Sequence, residues 1–189
     1  MKSIAIIGAG GMGRWFARYF LTKGSSVSIT DVNEERARYV ARELGIRAID
    51  RPSREEDAIL VAVYLSEAKG VVRSLNRYKG LLIDISSVKS PINEVMRVGA
   101  FKPLSIHPLF GPGANTLKDK SIIVTPIRDE EEELAVAKEL FPEAAISAMD
   151  EKEHDRAVAY AIQLPYLLAK LASRVLEDLD ALPTVSYTH

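Results

Sequence analysis

The chain of 189 residues contains no cysteine, which excludes disulfide bonds and thiolate metal sites. It also lacks an excess of either charge, with 25 basic and 26 acidic residues, so bulk attraction to nucleic acid or anionic lipid is not expected. No apolar run approaches the length of a membrane span, and the N-terminal run is too short for a signal peptide. These absences predict a soluble, cytoplasmic protein that binds neither nucleic acid nor a membrane.

Short apolar runs alternate along the chain with longer amphipathic ones. The apolar runs are rich in β-branched residues and are nearly continuous in apolar character, as in strands covered on both faces. They predict strands over 3–7, 26–30, 58–63, 81–85, 103–107, 121–125 and 144–149, with helices over 11–23, 34–44, 66–76, 91–97 and 130–140. This alternation predicts an α/β fold with a doubly wound, mostly parallel sheet.

The pattern changes at Asp150, where a helical run of about thirty residues begins. Asp150 is a candidate N-cap with Glu153 three residues later, and Pro165 is expected to kink or break the helix. A long helix that leaves such a sheet usually begins a helical domain. We therefore expect one domain over 1–149, the start of a helical domain over 150–189, and a longer parent protein.

A glycine-rich segment, GAGGMG, lies between the first predicted strand and the first predicted helix. It matches the G-x-G-x-x-G pattern of Rossmann dinucleotide-binding domains in the context that the pattern requires. The first glycine permits a tight turn, the second lets a pyrophosphate approach the backbone, and the third allows close helix packing. The predicted cofactor-binding residues are Gly8, Ala9, Gly10, Gly11, Met12 and Gly13.

Asp31 ends the second predicted strand, eighteen residues after Gly13. A carboxylate there can accept hydrogen bonds from the ribose hydroxyls of NAD and would repel the 2′-phosphate of NADP. The cofactor is therefore predicted to be NAD rather than NADP, although Arg36 is near enough in sequence to keep NADP open. The alternative is that the glycines only form a turn and that Asp31 caps the next helix.

Two predicted strands end in polar side chains at the same edge of the sheet. DISSVKS delivers Ser86, Ser87 and Lys89 to that edge, and SIHPLFGPG places His107 at the end of the next strand. A seryl hydroxyl beside an imidazole can fix its tautomer, which leaves the other ring nitrogen free to act as a base. The alternative is a neutral histidine that only hydrogen-bonds backbone at a strand end.

Four segments in this order and spacing resemble the prephenate/arogenate dehydrogenases of tyrosine biosynthesis: GAGGMG, DISSVKS, HPLFGPG and EHDRAVAYAIQLPYLLA. The resemblance runs from the N-terminus to about residue 175. It implies oxidative decarboxylation of prephenate to 4-hydroxyphenylpyruvate, or of arogenate to tyrosine, by NAD. It further implies that His107 is the base, that Ser87 orients it, that Ser86 contacts the cofactor, and that Lys89 supports the loop or attracts the dianionic substrate.

The chain departs from the family pattern in its helical part. Tyr166 replaces a histidine in the motif that begins at Gln163, and both residues are predicted to contact substrate. His154 lies nine residues before Gln163, about half a turn out of phase on an ideal helix, so it is predicted to be structural. No residue near the C-terminus replaces the arginine with which the family's helical domain holds a substrate carboxylate. If the chain is a fragment, we expect it to bind NAD and to lack efficient turnover.

The resemblance also implies a homodimer formed through the helical domain and a possible fused chorismate mutase domain in the parent protein. Two other functions fit part of the sequence. A Rossmann oxidoreductase of the hydroxyacid or imine reductase type explains the glycines and Asp31, but not SSVK followed by HPLFGP. A non-catalytic NAD-binding module explains only the nucleotide end.

Overall fold

A computed structural model describes residues 1–180, and for residues 162, 163 and 178–180 it describes the backbone only. The strands are β1 (Ser3–Ile7), β2 (Ser26–Thr30), β3 (Arg47–Ala48), β4 (Ala58–Val61), β5 (Leu81–Asp84), β6 (Lys102–Pro108), β7 (Ser121–Val124) and β8 (Ala145–Ala148). The α-helices are α1 (Gly11–Thr22), α2 (Glu34–Leu44), α3 (Leu65–Ser74), α4 (Ser90–Met96), α5 (Glu130–Leu140), α6 (Glu151–Val158) and α7 (Leu164–Asp180). A π-helical segment, Ala159–Gln163, joins α6 to α7.

The strands form one sheet in the order β3-β2-β1-β4-β5-β6-β7-β8. All neighbouring pairs are parallel except β6 and β7, which run antiparallel. The strand order reverses direction between β1 and β4, and in such sheets a ligand binds outside the carboxyl ends of the strands at that point. The segments that follow β1, β2, β4, β5 and β6 therefore meet at one edge.

Helices cover both faces of the sheet. Successive side chains of each strand point to opposite faces and pack with the helices on that side. Ile4 and Ile6 pack on one side with Phe16, Phe20 and Phe141, which come from α1 and from the end of α5. On the other side, Ala5 and strand residues of β4 and β5 pack with Val72 of α3 and Met96 of α4. The predicted doubly wound, mostly parallel Rossmann fold is confirmed.

The element bounds differ from the prediction in a few places. Strand β3 was not predicted, because it has only two residues, Arg47 and Ala48, and both are exposed. Such a short polar segment has no apolar run to mark it, and it is assigned only through its pairing with β2. The remaining strands and helices begin and end within two residues of the predicted positions.

The predicted long helix is present in three parts. Asp150 caps α6, because its carboxylate accepts hydrogen bonds from the backbone N–H groups of Lys152 and Glu153. The π-helical segment follows, and α7 then begins with Pro165 as its second residue. Proline is tolerated in the first turn of a helix, where its missing N–H has no intrahelical role. No helix within residues 1–180 is both long and apolar enough to cross a membrane.

Candidate functional site

The glycine-rich turn connects the end of β1 to the start of α1. Gly8 adopts a φ of +107°, a conformation that side chains other than glycine rarely allow. A Cβ on Gly13 would lie 1.8 Å from the carbonyl oxygen of Gly8, so the helix packs directly on the turn. A Cβ on Gly10 would meet no atom within 4 Å, so the space in front of this residue is open. The turn therefore has the shape into which a pyrophosphate can fit against the N-terminus of α1.

A cleft of about 1270 Å³ lies in front of this turn. Of the predicted cofactor-binding residues, Gly8, Gly10, Gly11, Met12, Asp31 and Ser86 line it. Ala9 and Gly13 do not line it, and they contribute through the backbone: the Ala9 N–H donates to the Asp31 carboxylate at 2.7 Å. Asp31 thus joins the end of β2 to the glycine-rich turn.

The carboxylate of Asp31 is nearly inaccessible to solvent, with 4% of its side chain exposed. Burial would raise the pKa of this carboxyl, but hydrogen bonds from Arg36, Ala9 and Asn33 outweigh burial and lower the pKa below its ordinary value. The group is therefore ionised at neutral pH. It can accept hydrogen bonds from a ribose if that ribose displaces one or more of the protein donors.

His107 lies at the carboxyl end of β6 and contacts a second histidine. Its Nδ1 atom is 2.9 Å from Nε2 of His154, which belongs to α6. The Nδ1 atom of His154 is in turn 3.0 Å from the Asp155 carboxylate. The Asp155 carboxylate also accepts the backbone N–H groups of Lys89 and Ser90 at 2.7 and 2.9 Å, so it caps α4 and joins it to α6.

This chain of contacts assigns the tautomer of both rings. Burial would raise the pKa of Asp155, but the donors from Lys89, Ser90 and His154 outweigh burial and lower it, so the group is an acceptor at neutral pH. A neutral His154 then carries its proton on Nδ1 and presents Nε2 as an acceptor, so that His107 donates from Nδ1. In this arrangement Nε2 of His107 keeps a free lone pair.

His107 is neutral at physiological pH. Burial, with the positive charge of Lys89 and the proximity of His154, lowers its pKa from 6.5 to about 4. The side chain keeps a small accessible surface, since 6% of the residue remains exposed. A neutral imidazole with one free nitrogen at the surface of a strand end can accept a proton from a bound hydroxyl.

Lys89 has a different position from the one predicted. Its ammonium is fully buried, 2.7 Å from the Asp84 carboxylate and 2.5 Å from the carbonyl oxygen of Ile106. The Ser86 hydroxyl donates to the same carboxylate at 2.6 Å. The prediction that Lys89 attracts substrate by direct contact is wrong, because its charge is enclosed by these partners. It supports the loop after β5 and the strand that carries His107.

The prediction that Ser87 orients His107 is also wrong. Ser87 is exposed and lines the cleft, but it makes no hydrogen bond to His107. His154, which the helical phase had assigned to a structural role, orients the ring instead. The motif EHD could have indicated this contact, because it places a histidine and an aspartate side by side near the start of a helix. The chain has only three histidines, so His154 was one of two candidates for a contact with His107.

The two substrate-binding predictions from the helical segment have different outcomes. Tyr166 is exposed on α7, with the Lys170 ammonium 5.7 Å from its ring centroid, and it is not among the residues that line the cleft. The side chain of Gln163 lies outside the described residues. The substrate contacts of both residues stay a prediction.

The loop after His107 packs on the first turns of α1. The ring of Phe110 lies 4.8 Å from that of Trp15, and the Trp15 indole donates to the carbonyl oxygen of Ala114. Pro112 is close enough that a Cβ on Gly11 would lie 3.0 Å from it. These contacts hold the loop that follows His107 against the glycine-rich turn, whereas His107 itself is not among the residues that line the cleft.

The chain is similar to known oxidoreductases in sequence. The family model described as NADP oxidoreductase, coenzyme F420-dependent, matches residues 3–88. A probable arogenate/prephenate dehydrogenase of Methanocaldococcus jannaschii is 31% identical over 134 residues, which are 66% of this chain. The match covers 30% of that relative, so the chain spans less than a third of its length.

Two solved structures share the fold. Prephenate dehydrogenase from A. aeolicus, in complex with hydroxyphenyl propionate and NAD⁺, has a TM-score of 0.79 at 18% identity over 98% of this chain and 71% of that one. An imine reductase from Myxococcus stipitatus, in complex with NAD⁺, has a TM-score of 0.68 at 19% identity over 97% and 68% of the two chains. The fold alone therefore does not identify the reaction. The chain is therefore similar in sequence to a probable arogenate/prephenate dehydrogenase, as its motifs indicated, and it shares its fold with a prephenate dehydrogenase.

Proposed function

We propose that this protein catalyses the NAD-dependent oxidative decarboxylation of prephenate to 4-hydroxyphenylpyruvate. Arogenate, which would give tyrosine, is the alternative substrate. The observation that carries the proposal is the chain of contacts from Asp155 through His154 to His107. It fixes a neutral imidazole with a free Nε2 at the sheet edge where the glycine-rich turn lies.

NAD is the proposed cofactor. The turn from Gly8 to Gly13 has room for a pyrophosphate, and Asp31 is ionised at the end of β2, where a ribose would lie. Ser86 and Ser87 line the same cleft and are proposed to contact the cofactor and the substrate, respectively. The relative from A. aeolicus is itself a complex with NAD⁺.

His107 performs the proton step. Nε2 accepts the proton of the 4-hydroxyl group as the carbon–oxygen bond becomes a carbonyl. NAD, held by the glycine-rich turn and Asp31, would supply the acceptor for the hydride of C4. The bond from C1 to its carboxylate then breaks, carbon dioxide leaves, and the released electron pair completes an aromatic phenolate, which takes the proton back from His107 to give the phenol. His154 and Asp155 hold the imidazole in the orientation and tautomer that this step needs.

Reduction of an imine is a second candidate, because the imine reductase from Myxococcus stipitatus shares the fold. The described site favours the first candidate, because an imidazole that is neutral at pH 7 can accept a proton, whereas imine reduction requires a proton donor. A His107 that is neutral at pH 7 is poorly suited to donate.

A spectrophotometric assay tests the proposal. The natural full-length protein is mixed with NAD⁺ and either prephenate or arogenate, and NADH absorbance is followed. The proposal predicts NADH formation with one of the two substrates and release of carbon dioxide in equal amount. Absence of NADH with both substrates, in a protein that binds NAD⁺ by calorimetry, would overturn it.

We also propose that the helical part mediates a homodimer. The exposed apolar side chains of α7 support this, because a soluble helix rarely leaves so many uncovered: Leu167, Leu168, Leu171, Val175 and Leu176. Sedimentation equilibrium of the full-length protein should give twice the monomer mass, and a monomer at micromolar concentration would contradict the proposal.

A further inference from the structure

Arg36 occupies the acceptor positions of Asp31 that a ribose would use. Its guanidinium binds the carboxylate through two bonds, from Nε to Oδ2 at 3.2 Å and from a terminal nitrogen to Oδ1 at 2.7 Å. The backbone N–H groups of Ala9 and Asn33 take one further position on each oxygen, at 2.7 and 2.8 Å. A carboxylate offers about four such positions, so Asp31 is saturated by the protein.

The backbone donors and the arginine differ in how readily they can leave. The Ala9 and Asn33 N–H groups belong to the turns that form the site, whereas the Arg36 side chain is 44% exposed and comes from the first turn of α2. Displacing the guanidinium frees two acceptor positions, which is the number that the 2′- and 3′-hydroxyls of a ribose require. Arg36 and the ribose diol therefore compete for the same two positions.

The cleft beside this pair is lined by several arginines as well as by the acidic residues Asp50 and Glu67. Arg36, Arg51 and Arg54 all line it, and Arg36 lies at the end where the adenosine part of a dinucleotide is expected. A guanidinium released from Asp31 stays within reach of that position, and arginine is suited to bind phosphate through paired N–H groups. A 2′-phosphate would restore to Arg36 the ionic partner that it loses.

We propose that Arg36 sets the nucleotide selectivity of this site by competing with the ribose of NAD for Asp31 and by binding the 2′-phosphate of NADP. This inference rests on the proposed binding of NAD. It implies that the wild-type protein discriminates against NADP less strongly than Asp31 alone would. Loss of the guanidinium should favour NAD and disfavour NADP at the same time.

Calorimetric titration of NAD⁺ and NADP⁺ into the natural full-length protein and three variants tests the proposal. Arg36→Ala should bind NAD⁺ about two- to fivefold more tightly, since no ion pair must be broken. It should bind NADP⁺ about tenfold more weakly, since a charge-assisted phosphate contact is lost. Arg36→Lys keeps a cation without the paired geometry, so it should gain affinity for NAD⁺ and retain most of the affinity for NADP⁺.

Arg38→Ala is the matched control, because Arg38 lies on the same helix and pairs with Glu34 rather than with Asp31. It should leave the ratio of the two dissociation constants unchanged. The proposal is overturned if Arg36→Ala leaves that ratio within twofold of the wild-type value, or if Arg38→Ala changes it as much. If neither nucleotide binds wild-type protein, the proposed function fails as well, which distinguishes the two failures.

Discussion

The ammonium of Lys89 lies 2.7 Å from the Asp84 carboxylate, and neither side chain has any surface exposed to solvent. Burial lowers the pKa of Lys89 from its ordinary value, and the charges of Asp84 and Asp155 oppose that shift. The pair lies beneath both functional loops, because Lys89 also donates to the carbonyl oxygen of Ile106, next to His107. The sheet edge is therefore held together by a buried polar network.

Replacing Lys89 with methionine should destabilise the protein by about 3–5 kcal/mol, because it leaves the Asp84 carboxylate buried without its partner. Urea denaturation followed by circular dichroism measures the change. Lys102→Met is the control, since Lys102 is exposed and pairs with Glu132 at the surface, and it should change stability by less than about 1 kcal/mol.

If Lys89→Met fails to fold, the double variant with Asp84→Asn keeps the prediction testable. It should fold and be more stable than Lys89→Met, because no unpaired buried charge remains. A double variant no more stable than Lys89→Met, or a Lys89→Met variant as stable as wild type, would contradict a coupled pair.

His154→Ala should lower kcat at least about tenfold, because His107 loses the acceptor that orients Nδ1. The dissociation constant of NAD⁺ should stay the same, since His154 does not line the cofactor cleft. NMR of the imidazole signals should also show that His107 loses its single tautomer. Glu153→Gln, at the exposed neighbouring position, is the control and should change neither quantity.

The pH dependence of kcat/KM should have an acid limb near pH 4 instead of near 6.5. The pKa of His107 is lowered to about 4 by burial, by Lys89 and by His154, while Asp84 and Asp155 act in the opposite direction. Activity should be constant down to about pH 5 and then fall about tenfold per pH unit as the base is protonated. A limb near 6.5 would show that His107 titrates as an ordinary histidine.

The same group contributes to stability with a defined sign. Between pH 6.5 and about 4 the unfolded chain binds a proton at His107 that the folded protein resists. The free energy of unfolding should therefore decrease as pH falls through this window. His107→Asn should reduce the pH dependence there, and an unchanged slope would contradict the shifted pKa.

Two glycine substitutions separate the architecture of the turn from its cofactor contact. Gly13→Ala places a Cβ 1.8 Å from the Gly8 carbonyl oxygen, so it should lower the thermal midpoint by several degrees. Gly10→Ala places a Cβ in open space, so it should leave the midpoint within about 2 °C and weaken NAD⁺ binding at least about tenfold. Calorimetry and thermal unfolding check both, and equal behaviour of the two variants would contradict the assignment.

The alternation of apolar and amphipathic segments was sufficient to predict the sheet and its helices. The apolar residues that favour each element locally are also the residues that it buries in the core. Strand β3 could not be predicted, since Arg47 and Ala48 form no apolar run. They are a strand only because they pair with β2. The glycine-rich turn and Asp31 were predictable, since their spacing is fixed by local geometry.

The partners of His107 could not be predicted in the same way. The role of His154 was judged from its helical phase relative to Gln163, but its contact to His107 depends on how α6 packs beside β6. Lys89 is polar and follows a strand, so the sequence suggested contact with substrate, whereas the fold encloses it beside Asp84. Both errors concern which side chains meet in space, which a single sequence does not contain.

The most direct test of the account is the turnover of His107→Asn with whichever of prephenate or arogenate the wild-type protein oxidises. Asparagine keeps a similar size but cannot accept the proton, so NADH formation should fall at least about a hundredfold while the dissociation constant of NAD⁺ stays the same. NADH formation at the wild-type rate in this variant would contradict the assignment of His107 as the base.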